Sequence, residues 1–172
     1  MTRRVLVFDT SVICCLLSVP NKETAGPRDD LWDQARVDAL IEKERDAGST
    51  FVLPTATIIE TGNHIAQAPR DRFEVAGRFA RLIAAAAQAE TPWAAFADQA
   101  TLWGGDRLIK LAEAWPTLAA GGTTIGDATI KDVAEHYSQA GFAVEIVTGD
   151  AGLKAYEPAV AIEAPRRRGG RT

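Results

Sequence analysis

Val5-Leu6-Val7-Phe8-Asp9-Thr10-Ser11 decides the fold. Its first four residues are apolar at every position, the pattern of a short parallel strand buried on both faces. An acid follows at once, and Val12 to Leu17 continues as the first turns of a helix. A strand that passes through an acid into a helix opens a βα unit, and the carboxyl ends of such strands face a common crevice.

Outward from this stretch the alternation repeats. Phe51-Val52-Leu53 reads as a second short strand closed by Pro54, Ala143 to Thr148 as a third, and Ala159 to Ile162 as a last edge strand. Helices are expected over 31–47, 55–68 and 71–89, from Gly126 to about Ala140, and as a short turn after Gly149-Asp150. On the 71–89 helix, Phe73, Ala76, Phe79, Ala80, Ile83, Ala84 and Ala87 make one apolar stripe. Residues 18–30, with Pro20, Gly26 and Pro27, read as a polar loop. Residues 91–122 hold Trp93, Trp103 and Trp115 at helical spacing, and read as a Trp-rich insertion of two short amphipathic helices, the second closed by Pro116. Strands alternating with helices predict an α/β domain with a parallel sheet. One domain is expected over 1–164, followed by a basic, disordered tail over 165–172 that carries Arg166, Arg167, Arg168 and Arg171.

Composition narrows the classes. The chain of 172 residues is 47% hydrophobic and 24% charged, which excludes wholesale disorder. No apolar run approaches the ~18 residues of a membrane span. The basic start reaches Asp9 too early for a secretory signal, so a cytoplasmic protein without a membrane partner is expected. Nineteen Lys and Arg against 23 Asp and Glu leave a net charge of −4. Four of those cations sit in the tail, so the body is more acidic still, which is not the footprint of a protein that coats nucleic acid. Bound cations can reverse that sign locally. Cys14 and Cys15 are adjacent, side chains on a helix diverge by ~100° there, and a bridge between them would be strained. They read as small core residues in a reducing compartment. No Cys-x-x-Cys spacing suggests structural zinc.

The chemistry lies in four acids. Asp9 follows the first strand, Glu60 lies on the helix after the second, Asp127 opens a later helix, and Asp150 follows the third strand. Each has a helix-capping reading as well: Asp9, Asp127 and Asp150 as N-caps, Glu60 in a capping box with Thr57. Capping does not require all four to fall on one rim of one sheet. Carboxylates gathered there repel one another unless protonated or bridged by cations. Hard divalent ions with oxygen ligands relieve that repulsion and suit phosphodiester cleavage, by acidifying water and polarising a phosphoryl oxygen.

VLVFDTSVI at 5–13, PTATIIETGNHI at 54–65, GDATIKDVA at 126–134 and VEIVTGD at 144–150 together resemble the PIN domain nucleases. The small single-domain form is most similar to the VapC-like toxins of type II toxin–antitoxin pairs. The resemblance implies a three-layer α/β/α sandwich with a mainly parallel sheet of about five strands. It implies a hydrolase, a Mg²⁺- or Mn²⁺-dependent endoribonuclease acting on tRNA, rRNA or mRNA and leaving a 5′-phosphate and a 3′-hydroxyl. It also implies a homodimer and a cognate antitoxin. Asp9, Glu60, Asp127 and Asp150 take the catalytic and metal-holding positions, with Thr10 and Thr148 orienting them. Residues 18–50 and 91–122 are longer than in the compact toxins, and Gly62 stands where a larger residue is common.

Asn63 and His64 share the face of Glu60 and are accessory candidates for touching phosphate, against a reading as helix-end polar residues. Asp132 lies about 140° round the helix from Asp127 and is expected in solvent, as is His136, which alternatively contacts a second copy. The three tryptophans of 91–122 are expected to pack on the core or across a dimer rather than to stack bases. Two other classes stay open: a non-catalytic PIN-like module that binds a helical partner, and a different nuclease or phosphate hydrolase.

Overall fold

The structure, a computed structural model, describes residues 3–159. Its elements in chain order begin with β1 (Arg4–Phe8), α1 (Thr10–Leu16), α2 (Gln34–Asp46) and β2 (Thr50–Val52). They continue with α3 (Thr55–Gln67), α4 (Arg72–Ala87), a 3₁₀ helix (Phe96–Trp103), α5 (Gly105–Ala120), α6 (Ile125–Gln139), β3 (Ala143–Val147) and α7 (Ala151–Lys154). Among the described residues no helix is long and apolar enough to cross a membrane.

The sheet is parallel and ordered β2-β1-β3, with Val5 opposite Thr50 on one side and Val144 on the other. β1 is therefore the central strand, and its apolar residues are needed on both faces. Leu6 and Phe8 point into a cluster with Val12, Ile13, Val37, Ile65, Val75 and Phe79, contributed by α1, α2, α3 and α4. Val5 and Val7 point the other way, into Ile130, Val133 and Ala134 of α6 and Leu153 of α7. Helices thus cover both faces of the sheet, in three layers.

Three strands stand where about five were expected among the described residues. The expected edge strand 159–162 and the tail 165–172 lie essentially outside them; Ala159 is described and is not in a strand. Among the described residues, groups outside the strands engage Phe51 on one edge of the sheet and Ile146 on the other. Along β2, the Phe51 amide donates to Pro92 O at 2.8 Å and the Ala94 amide donates to Phe51 O at 2.8 Å, so that Trp93 forms a single parallel bridge. Along β3, the Ile146 amide donates to Glu157 Oε2 at 2.9 Å, and Lys154 Nζ donates to Ile146 O at 3.0 Å. Trp93 also packs its ring on Phe8 and Phe51 at 5.8 and 5.6 Å, which fits its expected packing role.

Four helical expectations need correction. The buried face of α4 carries Val75, Phe79 and Ala86, with Leu82 and Ile83 against the core, whereas Phe73 is 92% exposed and Ala76, Ala80, Ala84 and Ala87 face solvent. α4 is apolar on two flanks, and period alone does not choose between them. Pro116 does not end its helix, which runs on to Ala120 at the loss of one intrahelical hydrogen bond. The insertion is accordingly a 3₁₀ segment and one 16-residue helix, α5, none of whose residues is fully buried. Asp132 is half-buried rather than solvated, and burial, followed by the nearby Glu135, raises its carboxyl pKa. It lines a small crevice with Trp103, Leu111 and Thr129. His136 is half-buried too, edge-on to Tyr137 at 5.4 Å.

Phe8 ends the central strand and packs in the aromatic cluster with Phe51 and Trp93. Phe8→Ala is expected to lower the unfolding free energy by about 3–5 kcal/mol in urea denaturation. Phe73→Ala, at a position already in solvent, is expected to change it by less than about 0.5 kcal/mol.

Candidate active site

The crevice forms where the connections leaving β1 and β3 part to opposite faces, the switch point of an open parallel sheet. Phe8 and Val147 are paired partners, so the residues that follow them emerge side by side. Asp9 and Thr148 are those residues, and both are buried.

Asp9 is held on every side. Its Oδ1 accepts from the Thr10 amide at 2.6 Å, and its Oδ2 accepts from the Ser11 amide at 3.3 Å, Ser11 Oγ at 2.6 Å and Thr148 Oγ1 at 2.8 Å. It is the N-cap of α1 as well, so its capping reading and its site reading both hold. Thr148 spans the two acids of this corner: its hydroxyl donates to Asp9 and accepts from the Asp150 amide at 2.9 Å. Ser11 Oγ likewise accepts from the Gly149 amide at 3.0 Å. Asp150 is exposed and caps α7, its Oδ1 accepting from the Gly152 and Leu153 amides at 2.6 and 3.0 Å.

Glu60 does not close a capping box. The N-cap of α3 is Pro54, and Thr57 Oγ1 instead donates to Phe8 O at 2.9 Å. That leaves the Glu60 carboxylate to accept from Thr10 Oγ1 at 2.9 Å. Glu60 reaches α6 through Gly126, where a Cβ would stand 2.0 Å from Glu60 Oε1. Asp127 is the next residue. It occupies the third helical position rather than the cap: Thr124 is the N-cap, and the pair form a reciprocal capping box, with Asp127 Oδ2 accepting from Thr124 Oγ1 at 2.8 Å.

Asp9, Glu60, Asp127 and Asp150 line one open cavity of about 340 Å³, together with Thr10, Ser11 and Thr124. Lys22, Thr24 and Ala25 from the 18–33 loop and His64 from α3 complete the wall. Asn63 is exposed and does not line it; its neighbour His64 does. Lys22 carried no motif in its polar loop. Ser11 and Thr124 carried one each, as the residue two after an acid cap and as the first residue of Thr-x-x-Asp. The loop is pressed against the end of β3, where a Cβ on Gly149 would meet the Gly26 amide at 2.8 Å.

The donor set fits a hard divalent cation: carboxylate and hydroxyl oxygens dominate. Among the described residues, no three His, Cys, Asp or Glu side chains stand close enough to surround a bare ion. The fit is therefore to a hydrated ion held by one or two carboxylates and by the rest through water, the habit of Mg²⁺. Cys14 also touches the cavity wall but is 1% exposed, and burial pushes its thiol pKa up to about 12 and that of Cys15 to about 11. Neither is a nucleophile near neutral pH. No family profile, no curated protein and no solved structure matches this chain.

Burial keeps both thiols protonated near pH 8 and out of reach of solvent. Both cysteines are expected to resist a disulfide reagent in the native protein and to titrate as two thiols once it is unfolded in urea. Gly62, by contrast with Gly126, has nothing within 4 Å of an added Cβ. Gly62→Ala should raise stability by about 0.5–1 kcal/mol in the same denaturant.

Proposed function

We propose that this protein is a metal-dependent endoribonuclease of the toxin type, with a PIN-like fold. The observation that carries the reading is the convergence of Asp9, Glu60, Asp127 and Asp150 on one cavity at the carboxyl ends of a parallel sheet. Two strand ends deliver Asp9 and Asp150, the first turn of α6 delivers Asp127 and the second turn of α3 delivers Glu60, and no capping requirement explains why all four face the same space.

Asp9, Glu60, Asp127 and Asp150 are the residues that would hold Mg²⁺ or Mn²⁺, directly or through water. When bound, such an ion supplies positive charge to a phosphoryl oxygen and acidifies water. The chain's own groups do the positioning. Ser11, Thr148 and two backbone amides fix the Asp9 carboxylate in one orientation before any ligand arrives. Thr10 does the same for Glu60. Lys22, the cation of the cavity wall, draws the phosphodiester in against the acidic surround. His64 lines the wall as a hydrogen-bonding contact to the RNA backbone.

The substrate is RNA (a tRNA, rRNA or mRNA), and the enzyme works in the cytoplasm, in keeping with two free buried cysteines. Exposed apolar residues, Leu108 and Ile109 on α5 and Phe73 on α4, are surfaces for a second copy of the chain and for an antitoxin. The α5 face also favours a second reading, a non-catalytic module that binds a helical partner. Measurable Mn²⁺ affinity in calorimetry supports the nuclease, and its absence even with RNA present supports the module.

Cleavage of single-stranded RNA in Mn²⁺ should be lost in EDTA and restored by Mn²⁺. Asp127→Asn should lose cleavage with little change in thermal midpoint, because an amide still serves the capping box. Asp9→Asn should lose cleavage and also stability, about 1–3 kcal/mol, because the amide group faces hydroxyl and amide donors that need an acceptor. Gly126→Ala should displace the Glu60 carboxylate and lower cleavage while the helix stays formed. Unchanged cleavage in both Asp variants would remove the assignment.

A further inference from the structure

A second cavity, of about 420 Å³, opens on the other side of Asp150. Its walls come from the 18–33 loop (Pro27, Asp30, Trp32), from Arg36 of α2 and from Ala151 and Lys154 of α7. Ala25 and Gly26 cross over Gly149 between the two cavities, and Asp150 lines both. Its size lies in the range of ligand sites, about 300–1,000 Å³.

The floor is a built stack. Trp32 is 7% exposed, and the Arg36 guanidinium lies over its ring, 3.8 Å from the centroid. The guanidinium is pinned at two nitrogens: one donates to Leu31 O at 2.9 Å, the other pairs with Asp30 at 2.7 Å. One face of the guanidinium is covered by indole, while the side chain remains 41% exposed and lines the cavity. Lys154 is already paired, with Glu157 at 2.6 Å and Glu145 at 3.4 Å. Both cations of the cavity are thus neutralised, and Asp150 adds a negative charge. A phosphate finds no free cation there. A flat, neutral π-face finds a platform, because bases stack on guanidinium planes and unpaired bases are the ones free to do so.

We propose that this cavity is a nucleobase subsite, in which an unpaired base of a single-stranded RNA stacks on Arg36 while the backbone passes Asp150 into the acidic cavity. The choice of RNA rests on the ribonuclease reading; the stacking chemistry does not. The subsite makes the enzyme select a single-stranded nucleotide beside the scissile phosphate, and it assigns Arg36 as a specificity residue.

The test is fluorescence anisotropy of a labelled oligoadenylate decamer with the full chain in Ca²⁺, with cleavage in Mn²⁺ followed separately on gels. Arg36→Ala and Arg36→Lys should each weaken binding about 5- to 100-fold, the lysine keeping the charge but not the plane. Decamers carrying one abasic ribonucleotide supply a readout on the unaltered protein. One abasic position should cost the wild type a comparable factor and cost Arg36→Ala little more, the coupling expected of a direct contact. Equal abasic costs in wild type and Arg36→Ala, wild-type affinity in Arg36→Lys, or no binding by the wild type would each overturn the subsite. Coupled binding sustains the subsite whether or not the decamer is cut, and cleavage without coupling overturns the subsite alone; the ribonuclease reading falls separately, on unchanged cleavage in Asp9→Asn and Asp127→Asn.

Discussion

The hydrogen bond from Thr148 to Asp9 joins the ends of the two strands on which the crevice is built. A buried carboxylate is costly unless its oxygens are fully engaged, and here hydroxyls and amides from two strand ends engage it. β1 and β3 must stay in register for this to hold, since a slip of one residue would turn Thr148 away and reverse every apolar side chain of β3 between the two layers. The core therefore enforces the site geometry, and the site in turn rewards the register of the core.

Much of this was legible beforehand. A run apolar at every position gave β1 its place between two layers, and the acids after β1 and β3 had to emerge together once those strands were neighbours. Asp9, Asp127 and Asp150 were legible because strand ends and helix starts are marked by short local signals, whereas Glu60 sits in the second turn of α3. What was not legible depended on contacts between distant segments. Lys22 enters the site only because its loop folds back over Gly149. The buried flank of α4 was ambiguous because both flanks are apolar, and Val75 rather than Phe73 joins the core cluster that α4 shares with α3 and its neighbours. Asp127 stands at the third helical position rather than the cap because Thr124, three residues earlier, caps the helix and Asp127 closes the reciprocal box from inside. Asn63 and His64 differ by one residue on α3, and a rotation of about 100° separates a wall residue from a solvated one.

α5 shows the limit of amphipathic spacing from the other side. Its apolar positions recur correctly, yet no residue is fully buried, and the Trp115 indole nitrogen is enclosed without a hydrogen-bond partner among the described residues. Period reports that a helix has an apolar side; it does not report whether this chain supplies the surface that covers it. Propensity fared no better at Pro116, because a single missing bond near the end of a helix is a small loss beside the packing of the turns on either side.

The engaged edges of the sheet carry a consequence for the chain in a crowded solution. A strand edge exposes unpaired amides and carbonyls at a spacing that any extended peptide can match, and a short sheet has proportionately more edge than a long one. Here Pro92 and Trp93 occupy the β2 side, and the ion-paired Glu157 and Lys154 occupy both polar groups of Ile146 on the β3 side. Growth of the sheet by recruiting a neighbouring molecule would first have to break those bonds. Among the described residues the small sheet is thereby protected from templated aggregation at Phe51 and at Ile146, by one tight loop and by side chains.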